Sequence, residues 1–477
     1  MANLTFRLEP ATVGWKYRGG GNTETINCKS LCACRKGGRS ATCGKNCVFA
    51  DRATSALRQG DQDRRPVHSL SWPDRYRCPM TKYDLILYGA TGFTGKLAAK
   101  YLSTVPDLRG KQWAIAGRTA SKLQELKATL LHPGLDVLTV ELTDAAATEQ
   151  MVASTRAVIS CAGPYSQHHG EELLSACARA GVHYSDLAGE SWWQAEMCSK
   201  YHSVAERSGA RIVLGGGVDS IPSDLGTMLA LGALPQEALA AEAVKVVGVY
   251  TEYSGSFSGG TLNSGRAKNQ AKREGVLTDA MDADPYLVCG AGTTGADSTA
   301  DGMPAGFSWR IRRRQPFFMG AINARIVRRS LALRGLQQRV SYAECSSVGL
   351  WARIAWVYAS SGMGYFRREP INLKPQSGEG PPAWLIREGA FTIEVSATAA
   401  SGHEATAVVK GNGDPGYGAT AKMLAETGLC LSCLDPPSPH QTGGGVLTPA
   451  TGLGELLVAR LLRAEGGGFM SLDVKST

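Results

Sequence analysis

Three glycines, Gly89, Gly92 and Gly95, recur at three-residue spacing in "ILYGATGFTG", directly behind an apolar run. Glycines so placed let a backbone turn sharply enough for its amides to close on a phosphate. A side chain there would hold a pyrophosphate away from the start of the following helix. Thr91 and Thr94 add hydroxyl donors to the turn, and Phe93 lies between the last two glycines. A second apolar run ends in Gly117-Arg118, with Lys122 one helical turn further on. An acidic residue at that place would accept bonds from a ribose 2′-hydroxyl, whereas a guanidinium suits a 2′-phosphate. The pattern predicts NADP(H) in preference to NAD(H). The competing reading leaves Arg118 as a solvated residue at a helix start.

A third stretch, "SCAGPYSQHHG", closes a later apolar run and brings Ala162 and Gly163 close to a cofactor's nicotinamide half. Hydride transfer to an activated double bond needs a proton donor nearby, and Tyr165 and Tyr184 are the candidates. Asp186 and Asp219 fall near strand ends, where site residues of open parallel sheets gather, and each serves equally well as a cap. His168 and His169 read more simply as surface residues. Neighbouring rings cannot both reach one ion without further ligands, so no metal site is predicted.

The elements that must position these groups are an alternation of apolar runs and helical stretches. The runs DLILY, WAIAG, DVLTV, AVISC, HYSDL and RIVLG are separated by segments such as ASKLQELKATL and GEELLSACARA. Near-continuous apolar strands with helices between them argue for a parallel sheet covered on both faces. The fold class is therefore α/β. A Rossmann dinucleotide-binding domain over 80–218 is followed by a second α/β, mixed-sheet domain over 219–440 and a closing helix and tail over 441–477.

Charge separates the chain in two. Residues 1–79 carry 14 Lys+Arg against 6 Asp+Glu, leaving 37 against 36 in the remainder, so nothing from Met80 onward calls for nucleic acid. Six of the 13 cysteines also fall before Met80, in a spacing without a zinc signature. An extension outside the folded unit, an organelle-targeting segment and a metal-binding tail all remain open for this region, with Met80 expected to begin the folded unit. The other cysteines are scattered singly, as in a reducing compartment. The expected location is intracellular, cytoplasmic or peripheral to a membrane.

Several strings together resemble one family: "ILYGATGFTG", "AIAGRTASKL", "VISCAGPYSQHHGEELLSACARAGVHYSDLAGE", "GGGVDSIPSDLG" and "GDPGYGATAKMLAE". They are similar to the saccharopine dehydrogenase-like oxidoreductases, including the trans-acting enoyl reductases, across about 81–465. The resemblance implies a Rossmann domain, a second domain carrying substrate and subunit contacts, and NAD(P)-dependent hydride transfer to a small-molecule, lipid-derived enoyl or keto substrate. No arginine cluster for several substrate carboxylates follows the strands, which disfavours saccharopine itself. The alternative is a dinucleotide-binding protein of little turnover, associated with membranes or lipid droplets.

Within the second domain, "FTIEVSATAA" and "HEATAVVKGN" alternate like paired antiparallel strands. "YGATAKMLAETGLCL" reads as a helix, with Tyr417 either a cap or a substrate contact. The apolar 349–366 is interrupted by Arg353 and too weak to span a bilayer. With the basic "RIRRR" and "RIVRRS" it suits a bilayer interface, or else a buried or dimer-contacting helix.

Overall fold

The apolar runs become strands in the computed structural model. It describes residues 14–19 and 22–27 and, from 81 onward, all but 109–110, 131, 133, 257, 300–313, 348–368, 370, 373, 377, 435–442 and 477. A unit spanning Phe6–Pro79 contains an antiparallel hairpin of Gly14–Gly19 and Asn22–Asn27. The cysteine cluster and the 349–366 segment lie outside the described residues.

In the unit from Met80 onward, strands β1 (Tyr83–Tyr88), β2 (Trp113–Gly117), β3 (Asp136–Thr139), β4 (Thr155–Ser160), β5 (His183–Asp186) and β6 (Arg211–Val213) follow the six apolar runs. The later strands are β7 (Val244–Tyr253), β8 (Arg314–Pro316), β9 (Val340–Ser347), β10 (Ala390–Ala399), β11 (Glu404–Asn412), β12 (Gly445–Leu447) and β13 (Met470–Ser476). One sheet runs β12-β6-β5-β4-β1-β2-β3, and every pairing in it is parallel. Its order reverses between β1 and β4, which opens a crevice beyond their carboxyl ends. The second sheet runs β8-β9-β7-β10-β11-β13 and is mixed, with β7 and β9 parallel and the other pairs antiparallel.

Two helices tie the sheets into one apolar core. Thr420–Cys433 settles onto the first sheet at Gly428, where a Cβ would stand 2.7 Å from Ile159 and 3.1 Å from Leu85. Ile221–Gly232 settles onto the second at Gly226, where a Cβ would stand 2.8 Å from Val395. Such close approach needs the missing side chains and excludes water between the layers.

Three readings of the sequence change here. Gly445–Leu447, expected only to lead into the closing helix, pairs with β6 and extends the first sheet. Met470–Ser476, read as a tail, pairs with β11 and closes the second. The basic "RIVRRS" is turned inward. Arg325, Arg328 and Arg329 are buried on helix Gly320–Leu333 and donate to the carbonyls of Asp282 (2.6 Å), Tyr342 (3.1 Å) and Val446 (3.2 Å). Arg328 also pairs with Asp297 at 2.8 Å. These cations are engaged by internal carbonyls, including one from each sheet, and offer nothing to a bilayer surface. No described helix is long and apolar enough to cross a membrane.

Candidate active site

The turn after β1 is shaped by two glycines and left open by the third. Gly89 has φ +76, and a Cβ there would sit 2.8 Å from Ala162 N, against the loop leaving β4. A Cβ at Gly95 would strike Gly89 O and the Ala90 backbone. Gly92 differs: its nearest neighbour would be Gly89 O at 3.4 Å, an ordinary contact. Packing does not require glycine at 92, so the space above it is a cradle that a side chain would fill. Gly92 begins helix Phe93–Thr104, no side chain caps that end, and no acidic residue occupies its first turn. Neither threonine hydroxyl, Thr91 nor Thr94, has a hydrogen-bond partner among the described residues. Unpaired donors at a positive helix end fit a pyrophosphate.

Arg118 and Lys122 are exposed just beyond β2. Arg118 has no partner among the described residues, and its charge bears on Tyr88 and His168 around the crevice. Phe93 is half-buried beneath Gly380 and meets Tyr417 edge-on at 5.3 Å. The Tyr417 hydroxyl accepts from Ser258 N and bonds Thr261 Oγ1, capping helix Gly259–Arg273. Burial pushes that hydroxyl up to about 12, so it stays protonated.

The loop after β4 presents Ala162 and Gly163 to the crevice but folds its tyrosine inward. Tyr165 is 4% exposed and stacks on Trp193 at 5.5 Å. Its hydroxyl donates to Ser160 O at 2.8 Å and accepts from Leu187 N at 3.0 Å. Tyr184 is wholly enclosed and donates to Asp186 Oδ2 at 3.1 Å. Asp186 accepts from the amides of Ala188 (3.1 Å) and Gly215 (3.4 Å) as well, and burial raises it to about 7. These three expected proton-transfer groups therefore brace the strand ends, with their polar atoms already engaged.

Two further carboxylates stand near these strand ends. Glu190 is buried and accepts from Tyr165 N (3.0 Å) and Ser166 N (2.8 Å), with Ser264 Oγ at 3.4 Å. It fixes the β4 loop and joins it to the second domain. No local signal in the sequence marks it, because its partners lie far along the chain. Asp219 follows β6, and between Ile212 and Thr227 it is the one residue not buried. Among the described residues no group of three or more His, Cys, Asp or Glu could hold a metal ion.

Residues 85–213 match the saccharopine dehydrogenase NADP-binding domain. A Mycobacterium tuberculosis relative is 34% identical over 413 residues, covering 80% of this chain and 95% of its own length. Proteins named trans-acting enoyl reductase from Mycobacterium tuberculosis and Mycobacterium leprae are 33% and 32% identical, over 80% of this chain and 96% of theirs. The chain belongs to the saccharopine dehydrogenase-like oxidoreductases. It is an NAD(P)-dependent oxidoreductase acting on a small molecule, with its cofactor domain at the glycine turn. Apo saccharopine dehydrogenase from Saccharomyces cerevisiae overlays 82% of this chain and 99% of its own at a TM-score of 0.37, with 12% identity.

Proposed function

We propose that this oxidoreductase uses NADP(H) to reduce a lipid-derived enoyl or keto group. The observation that carries the cofactor choice is Arg118, an exposed and unpartnered guanidinium where a carboxylate would select NAD(H). Gly89, Gly92 and Gly95, with Thr91, Phe93 and Thr94, would hold the pyrophosphate end. Arg118 and Lys122 would take the 2′-phosphate, and Ala162 and Gly163 would lie along the nicotinamide half. Bound NADPH supplies the hydride and its electron pair; the chain's residues bind, orient and exclude water. On this reading 80–218 carries the cofactor and 219–440 the substrate wall.

The apolar substrate is supported by an aromatic cluster on the second domain. Tyr253 meets Phe317 at 5.5 Å and Phe318 at 5.4 Å, and Phe318 remains 37% exposed. Such a wall offers dispersion and apolar burial to an acyl chain. The relatives named trans-acting enoyl reductase support an enoyl group as the one reduced. The test is NADPH oxidation against a panel of enoyl, keto and imine substrates of graded chain length. Turnover that improves with chain length on enoyl or keto compounds is expected. Tight NADPH binding without oxidation across the panel would contradict the reductase reading.

A further inference from the structure

We propose that Asp219 is the proton donor of the reaction, delivering its proton to the substrate atom beside the one that receives hydride, with the Tyr253 hydroxyl positioning that substrate. The inference rests on the reductase reading above and assigns the acid within the same site.

The placement follows from a chain of contacts that begins at the nicotinamide-side loop. The Tyr165 hydroxyl holds Leu187 N at 3.0 Å, and the Leu187 side chain would lie 2.9 Å from a Cβ at Gly217. Gly216 N donates to Asp186 O at 2.6 Å, and Val218 N donates to Thr420 Oγ1 at 3.1 Å. The backbone from Gly216 to Val218 is thus pinned between the end of β5 and the segment carrying Tyr417, and Asp219 is the next residue. Its carboxylate has no hydrogen-bond partner among the described residues, unlike Asp186, Asp224, Glu190 and Asp414, which all have one.

Strand β7 carries two tyrosines on which the Asp219 charge acts. The titratable groups that feel the Asp219 charge are the Tyr250 and Tyr253 hydroxyls, and Asp414 and Tyr417 also act on Tyr253. Tyr250 reaches Ser223 at 3.4 Å. The Tyr253 hydroxyl has no hydrogen-bond partner among the described residues, although the side chain is 8% exposed. Two unpaired polar groups that act on each other at a strand end, close to the loop after β4, are where a ligand can complete the bonding. Among the described residues no cation bears on Asp219, and desolvation by the surrounding protein raises it to about 6 from an ordinary 3.8. That brings it near the value a general acid needs at neutral pH, while Tyr253 is pushed too high to release its proton.

The step balances. The hydride and its electron pair leave NADPH for one carbon of the C=C bond, and NADPH is oxidised to NADP⁺. The Asp219 O–H bond breaks as a C–H bond forms at the neighbouring carbon, or an O–H bond at a keto oxygen. Asp219 is left as carboxylate and takes its proton back from solvent.

Asp219→Asn tests this in two independent readouts, with trans-2-dodecenoyl N-acetylcysteamine as substrate probe. The folded-state pKa of Asp219 lies above its unfolded value, so wild-type stability falls as pH rises from about 4 to about 6 and stays low above that. A neutral Asn escapes the penalty, so Tm at pH 8 should rise by roughly 2–4 °C and stay unchanged at pH 4. A fall in Tm at pH 8 would mean a structural carboxylate and overturn the proposal. In kinetics, kcat should drop about a hundredfold or more with NADPH affinity unchanged. Wild-type kcat/KM should decline as pH rises through the Asp219 pKa, and the variant should lose that limb. Wild-type turnover matched by the variant sinks the Asp219 assignment alone. Absence of wild-type turnover on the enoyl, keto and imine panel sinks the reductase reading instead.

Discussion

The loops leaving β1 and β4 stand side by side at the carboxyl end of one sheet, and they use their polar groups in opposite ways. After β1 the threonine hydroxyls and the helix start are left without partners, and Gly92 keeps the space above them clear. After β4 the tyrosine hydroxyl and the Tyr165 and Ser166 amides are bonded within the protein, to Ser160, Leu187 and Glu190. The first loop is arranged for a ligand to complete; the second is complete and holds a wall in place. Residue type alone does not separate these roles. Bonding does.

The sharpest way to break the comparison is within the glycines. Gly95→Val should fail to fold, since its Cβ would meet the Gly89 carbonyl and Ala90 backbone rather than a movable side chain. The loss should exceed the ~1–3 kcal/mol of ordinary overpacking. Soluble yield and urea unfolding measure it, and near-wild-type stability would show that the turn has slack.

Arg118→Ala addresses the open side. A charge-assisted bond to a 2′-phosphate is worth ~1.5–3 kcal/mol, or roughly ten- to a hundredfold in affinity. NADPH should weaken by that factor and NADH hardly at all, with Lys122→Ala adding to the loss. Equal weakening of both cofactors in a titration at fixed ionic strength would make Arg118 structural and remove the NADP(H) preference.

Tyr165→Phe addresses the completed side and has the smallest expected effect. It removes one bond to Ser160 O and one from Leu187 N, costing about 1–3 kcal/mol in denaturant unfolding. The pH profile of turnover should not move. A lost limb in that profile would return the tyrosine to proton transfer.

What could be read from the chain follows from the range of the forces involved. Strands such as "DLILY" and "WAIAG" are legible because a parallel strand buried on both faces must be apolar throughout. The glycine turn is legible because its demands are local. Strand β12 spans Gly445–Leu447 only, too short for any periodicity to mark it. The inward arginines of "RIVRRS" look like a surface patch because sequence cannot show the carbonyls that pair with them. Tyr165, Glu190 and Asp219 differ only in partners supplied from elsewhere in the chain, which no local pattern encodes. Their roles emerge once the fold has brought those partners together.

The central claim is that the turn after β1 is an open cradle for a dinucleotide. Gly92→Val tests it most directly, because among the described residues the nearest atom to a Cβ there is Gly89 O, at 3.4 Å. NADPH titration by fluorescence, alongside Tm for the same protein, gives both halves of the answer. The account predicts a Tm close to wild type and NADPH affinity reduced at least about a hundredfold, equivalent to ~2.8 kcal/mol. Unchanged affinity in a folded Gly92→Val protein would contradict it.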